Sequence, residues 1–277
     1  MSASYSVLMS VYKNDSPQYL KTALESIYDQ QTRKPDEIVV VFDGPLNEEL
    51  YDTLNQFRSG KEDLVKYYPQ ETNRGLGEAL RIGTEYCRGE YIFRMDSDDV
   101  SDPHRFEKQI AYLNAHPEID VLGTDIAEFN ESPDEPNKRI RICPPDHEAI
   151  VRMGRKRNPM NHVSVCMKKS ALRKCGGYKT LLLLEDYYLW LHMIAAGCRL
   201  ANLNEPLVYV RVGNGFDTKR GSKERIAGWK VLQSFMLEHN MISKREAFLN
   251  MLYIRGFVLT PAWLKKWLYQ KVLRKQV

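Results

Sequence analysis

Asp96, Asp98 and Asp99 fall within four residues, directly after YIFRM, an apolar segment that reads as a buried strand. Carboxylates packed so closely repel one another, and a bound cation relieves the repulsion. Hard divalent ions such as Mg²⁺ and Mn²⁺ take carboxylate oxygens. On an extended segment leaving a strand, residues i and i+2 face the same side, so Asp96 and Asp98 can converge on one ion or ligand. The competing reading is a solvated turn in which Asp99 or Asp102 caps a helix at Pro103. Two further acidic positions invite the same question. Asp43 ends the apolar run IVVVF and precedes Gly44 and Pro45, where a turn residue would also stand. Glu185 and Asp186 follow LLLL and open a helical pattern carrying Leu189, His192, Met193 and Ala196, where acids commonly serve the helix dipole.

These acids need a scaffold, and the first 125 residues supply an alternating one. Strand patterns at 5–11, 37–42, 65–68, 90–95 and 119–123 are separated by amphipathic stretches. The first stretch is capped by Asp15 or Ser16, with Pro17 in its first turn; the second is opened by Asn47, Glu48 and Glu49. A third runs from Leu76 to Cys87, and a fourth carries Phe106, Ile110 and Leu113. Strand–helix alternation of this kind implies α/β architecture, a mostly parallel, Rossmann-like sheet with ligands at the carboxyl ends of its strands. Past Pro144 and Pro145 the pattern is irregular. An alternating strand is expected at 162–167, and a short helix after it ends at Gly176 and Gly177.

The chain has 277 residues, 43% hydrophobic and 27% charged, enough for one sizeable core with an appendage. The opening residues have no basic n-region and too short an apolar run for a leader, so a cytoplasmic location is expected. The five cysteines are odd in number and scattered, without a CxxC pair, which excludes a disulfide framework or zinc site as an expectation. Charge is uneven. Residues 219–277 hold 13 Lys and Arg against 3 Glu, and the remainder has 27 against 33. A basic tail can face water or an anionic surface; no nucleic-acid partner is expected. Residues 260–277 read as a helix with Trp263, Leu264, Trp267, Leu268 and Val272 on one side and Lys265, Lys266, Lys271, Arg274 and Lys275 elsewhere. Both an anionic inner-membrane surface and the catalytic domain are open as its partner.

SVLMSVYKND, EIVVVFDGP, NRGLGEALRIGTEYCRGEYIFRMDSDD and GGYKTLLLLEDYYLW stand in the order and approximate spacing seen in family-2 inverting glycosyltransferases with the GT-A fold. The resemblance spans residues 5–212 and is strongest to bacterial members that build exopolysaccharide or O-antigen repeats. It implies a catalytic domain over 1–218, with a nucleotide-sugar half at 1–125 and an acceptor half at 126–218, and a basic helical extension at 219–277. The donor implied is a UDP-hexose or UDP-N-acetylhexosamine, the acceptor a glycan, lipid-linked by analogy, and the cofactor Mn²⁺ or Mg²⁺. Residue by residue, it puts Asp98 on the metal, Asp96 and Ser97 on the nucleotide sugar, and Asp43 at the base edge. FDGP departs there from the commoner double-Asp form. Ser10, Val11 and Tyr12 line the same pocket, and Arg74 contacts diphosphate or base. Asp186 is the implied general base, with Glu185 beside it. Arg211 or Lys219, at the loop GNGFDTKRG, would reach phosphate, and His162, like His192, is expected to be a satisfied core or helix-face histidine.

Two other classes compete. A sugar-1-phosphate nucleotidyltransferase shares the alternating architecture and the metal, but needs a Gly-rich basic signature after the first strand, where this chain has MSVYKND. A non-catalytic glycan- or membrane-binding scaffold of the same fold would have no use for intact Asp96, Asp98 and Asp186.

Overall fold

The runs YSVLMSV and EIVVVF are apolar without alternation, as strands buried on both faces must be. In the computed structural model they are β1 (Tyr5–Val11) and β2 (Glu37–Phe42) of a central sheet. Residues 3–136, 138–181, 183–212, 224–260 and 275–276 are described. β3 (Val65–Pro69) and β4 (Tyr91–Met95) complete a parallel unit in the order β3-β2-β1-β4. Helices α1 (Pro17–Ile27), α2 (Glu48–Arg58) and α3 (Leu76–Tyr86) connect its strands. Their N-caps follow the local chemistry: the Ser16 side chain accepts from the Tyr19 amide and Asn47 from Leu50, while Gly75 opens α3 at φ 89°.

Beyond β4 the sheet is mixed. β5 (Val100–Ser101) and α4 (Arg105–Ala115) lead to β6 (Val121–Phe129), which pairs parallel with the long β9 (Leu200–Arg211). β7 (Arg139–Arg141) and β8 (Cys166–Lys168) run antiparallel to β6, and β8 is also antiparallel to β4. The expected strand at 162–167 is instead a 3-10 turn over His162–Ser164 followed by β8, because the Asn161 carbonyl accepts from Ser164 N and turns the chain. α5 (His147–Gly154), capped by Asp146, occupies part of the stretch expected to be irregular. α6 (Lys169–Lys174) does end at Gly176 and Gly177, both at positive φ.

Two apolar layers sandwich the sheet. α1, α2 and α4 pack on one face through Leu20, Leu54 and Ile110; α3, α6 and α7 (Glu185–Ala195) cover the other through Leu80, Leu172 and Trp190. A third cluster joins α7 to α8 (Glu224–Glu238) and α9 (Lys244–Leu259), with Tyr187, Leu191, Trp229 and Leu232 at its centre. Thr260, expected to cap the last helix, is the C-cap of α9. Most of that expected helix, with the loop at 213–223 that includes Lys219, lies outside the described residues. Lys275, expected in the helix, is in β10 (Lys275–Gln276), a two-residue strand antiparallel to β7.

Candidate active site

The register of β1 against β2 and β4 brings their carboxyl ends to one edge: Val11 faces Phe42 and Met9 faces Met95. The next residues of each strand, Tyr12, Asp43 and Asp96, therefore emerge together, as the parallel topology requires. Asp43 is buried. Its Oδ1 accepts from Arg74 N at 2.7 Å and its Oδ2 from Gly75 N at 3.0 Å, so it also fixes the loop that opens α3. Gly44 allows the approach: at φ +87° a Cβ there would stand 2.7 Å from Asn73 N. Arg74 itself is exposed at the rim. Ser10 is half-buried, while the Val11 side chain belongs to the core and its carbonyl accepts from Asp43 N. Tyr12 donates its amide to Asp15 Oδ2.

Asp96, Asp98 and Asp99 can bring one oxygen each within 4.8 Å of one another. Asp98 is exposed, Asp96 half-buried and Asp99 buried. Loss of water pushes Asp98 up to about 6, with Asp96 and Asp15 adding to the effect; burial and then the carboxylates of Asp98 and Asp96 raise Asp99 well above the carboxylate range. Asp15 stands beside them, pushed up to about 6 by burial, and accepts from Ser97 Oγ at 2.7 Å. Acceptor-only oxygens that disfavour their own ionisation suit a hard divalent cation, so the residues fit the Mg²⁺ or Mn²⁺ that the sequence implies.

Counter-charge comes from Arg94, the one polar residue of YIFRM. It is buried and ion-paired to Asp96, and its Nε and Nη1 have no hydrogen-bond partner among the described residues. Burial opposes its charge, but Asp96 outweighs burial and holds it ionised. Beneath it, buried Arg105 donates to the carbonyls of Arg94 and Val163, bracing the end of β4.

Arg211 does not present its guanidinium freely. Its amide donates to Asp99 Oδ1 and its Nε to the Asp98 carbonyl, while the guanidinium lies 3.7 Å from the centroid of the Tyr19 ring. It clamps the acidic loop to β9. His162 pairs with Tyr178 Oη at 2.8 Å, and burial, then Arg94, holds its pKa well below the ordinary value. That is a neutral histidine packed against Tyr178.

Glu185 and Asp186 lie in the first turn of α7 but point apart. Glu185 packs on α3, where a Cβ at Gly77 would meet its Cβ at 3.3 Å. It is pushed up to about 7 by burial first, then by Asp186, with Asp96 contributing and Arg94 opposing, so it belongs electrostatically to the acidic end of β4. Asp186 instead accepts from Asn158 Nδ2 at 2.5 Å and from Tyr187 N at 2.7 Å. Sequence reasoning missed Asp15, Arg94 and Asn158 as site residues. A lone Arg inside an apolar strand was a usable signal; nothing in NPMN pointed to Asn158.

The family model for glycosyl transferase family 2 matches residues 6–181, ending just before Glu185. A Haemophilus influenzae protein named as an uncharacterized glycosyltransferase is 41% identical, covering 98% of this chain and 99% of its own. The amylovoran biosynthesis glycosyltransferase AmsE of Erwinia amylovora is 36% identical over 96% and 98%. An Escherichia coli UDP-Gal:alpha-D-GlcNAc-diphosphoundecaprenol beta-1,3-galactosyltransferase is 33% identical over 98% and 97%. Among solved structures, S. aureus TarS 1-349 in complex with UDP-GlcNAc superposes at TM-score 0.69 with 16% identity, covering 97% of this chain and 76% of that one, so the fold is that of GT-A glycosyltransferases. With a matching model over more than half its length and near-full-length relatives above 30% identity, the chain belongs to glycosyl transferase family 2 and is a glycosyltransferase of the bacterial polysaccharide type.

Proposed function

We propose that this enzyme transfers a sugar, with inversion, from a UDP-hexose or UDP-N-acetylhexosamine to a hydroxyl of a lipid-linked glycan in surface polysaccharide synthesis. The observation that carries the reading is the junction of the acidic end of β4 with the first turn of α7, where Glu185 senses both Asp96 and Asp186. In this reading donor and base are adjacent. The E. coli relative, whose name specifies a UDP-Gal donor and a diphosphoundecaprenol-linked acceptor, supports the substrate classes.

In this reading residues 1–125 hold the donor, 126–218 the acceptor, and 219–277 form the basic extension. Asp98, with Asp96 and Asp99, would hold Mn²⁺ or Mg²⁺, which when bound neutralises charge on the departing diphosphate. Asp43, Tyr12 and Arg74 border the nucleotide, and Ser97, tied to Asp15, keeps the acidic turn in shape. Asn158 and the Tyr187 amide orient Asp186, leaving lone pairs on its carboxylate for the acceptor hydroxyl. Asp186 takes that proton as the hydroxyl oxygen attacks the anomeric carbon and the bond to the nucleoside diphosphate breaks. Arg94, ion-paired to Asp96, holds its side chain in place. The test is a donor screen with purified protein, lipid-linked acceptors, and Mn²⁺ or EDTA. Transfer from a UDP-sugar with inverted anomeric configuration is expected; retention, or full activity in EDTA, would reject the mechanism.

A further inference from the structure

α9 packs inward through Ala247, Met251, Ile254 and Val258, yet its outer side is not a solvated face. Phe248 is 64% exposed, Leu249 52%, Leu252 48% and Tyr253 68%. At 100° per residue these four share one half of the helix circumference with exposed Lys244, Arg245 and Arg255. No acid lies among the described side chains of that arc, since Glu246 turns back to cap Ser243. A groove of about 480 Å³ runs along the same side between α8 and α9, with Lys230 and Arg255 on its walls. A second basic element adjoins it. Exposed Arg155, Lys156 and Arg157 follow α5, and Asn250 of α9 donates to the Arg155 carbonyl at 2.8 Å.

We propose that the outer face of α9, with the 155–157 turn, is the surface by which this protein lies on an anionic lipid bilayer. The lipid-linked acceptor reading supplies the purpose of this contact, though not its test. Phe, Leu and Tyr interleaved only with Lys and Arg match the chemistry of an acyl–headgroup boundary, where apolar side chains enter the boundary and cations meet phosphate. From Lys244 to Arg255 the helix presents about 18 Å of such contact lying flat. The placement also connects to the chemistry. Asn158, which orients Asp186, follows Arg157 directly, so lipid headgroups on the basic turn would stand beside the acceptor side of the site. No described helix is long and apolar enough to cross a membrane.

The full chain is sedimented with vesicles of phosphatidylcholine alone and of equimolar phosphatidylcholine and phosphatidylglycerol. Binding is expected only to the anionic vesicles. Phe248→Asp with Leu252→Asp should lower it by about tenfold or more, and Lys156→Glu with Arg157→Glu by at least a similar factor, given about fivefold per cation at an anionic surface. Tyr253→Glu alone, at the most exposed position, serves if the double apolar variant fails to melt cooperatively. Hydrolysis of soluble donor by the apolar variant should be unchanged. The proposal is overturned if the natural chain does not bind anionic vesicles, or if the α9 and turn variants bind as it does. It is equally overturned if deleting residues 261–277 abolishes binding while the α9 variants retain it. A dimer dissociated by the apolar substitutions, with no vesicle binding, would assign the face to a second copy. Loss of the acceptor reading would appear separately, as vesicle binding without transfer to any lipid-linked glycan.

Discussion

Replacing Glu185 with Gln should change how stability depends on pH. The carboxyl is pushed from an ordinary 4.5 to about 7, by burial first and by Asp186 next. The raised value means that the fold holds the proton more tightly than the unfolded chain does. Relative stability from this group is fully present below pH 4.5, and it is lost as pH rises through 7. A shift from 4.5 to about 7, at about 1.4 kcal/mol per unit, corresponds to roughly 3 kcal/mol between pH 4.5 and pH 8. Gln keeps the volume that packs on Gly77 and removes the ionisation. Urea unfolding in EDTA at a series of pH values should therefore show the variant gaining on the natural protein by about 2–3 kcal/mol between pH 5 and pH 8. Parallel stability curves across that range would refute the reasoning, because they would mean that Glu185 ionises in the fold as easily as in water.

Asp98→Ala should abolish Mn²⁺-dependent binding of UDP, measured by calorimetry, since a methyl group cannot replace a carboxylate ligand. Asp186→Asn should leave UDP affinity near normal while turnover falls by about a hundred- to ten-thousand-fold in a transfer assay with a true acceptor. Asn158→Ala, which removes an orienting donor but not the base, should lower kcat by roughly tenfold with the donor KM little changed. Gly44→Ala should destabilise the fold by about 1–3 kcal/mol in urea and raise the donor KM, because its Cβ would displace Asn73 and the loop that Asp43 holds.

Legibility followed locality. β1 to β4 and their helices were readable because each strand is a short apolar run and the first two helices carry side-chain caps, at Ser16 and Asn47. The strand-end positions of Asp43 and Asp96 were readable for the same reason: the end of a parallel strand is marked in sequence by the change from apolar to acidic. The pairing of β6 with β9 was not, because their register, Val121 with Leu200 through Phe129 with Arg211, is set by partners about 80 residues apart. The sequence offers Arg211 or Lys219 to phosphate, whereas the register carries Arg211 to the backbone of the acidic loop. His162 sat in an alternating pattern whose period was overridden by the turn at Asn161. Asn158 had no local mark at all; only the fold brings it against Asp186.

The two acids of α7 can be told apart by what surrounds them, although the sequence sets them side by side. Successive residues on a helix point about 100° apart, so a pair placed at the junction of two subsites must divide between them. Glu185 faces the crowded side: it lies over Gly77 and feels Asp96 and Arg94, and protonation there relieves repulsion. Asp186 faces Asn158, whose amide donates only to a carboxylate that presents an acceptor oxygen. The Tyr187 amide imposes the same requirement on the other oxygen. Two donors to one carboxylate fix its plane, which is the preparation the proposed general base needs before an acceptor hydroxyl arrives. In the proposed reaction the division of labour follows from the helix itself, with Glu185 held by α3 and Asp186 held by the chain that leads from the basic turn at 155–157.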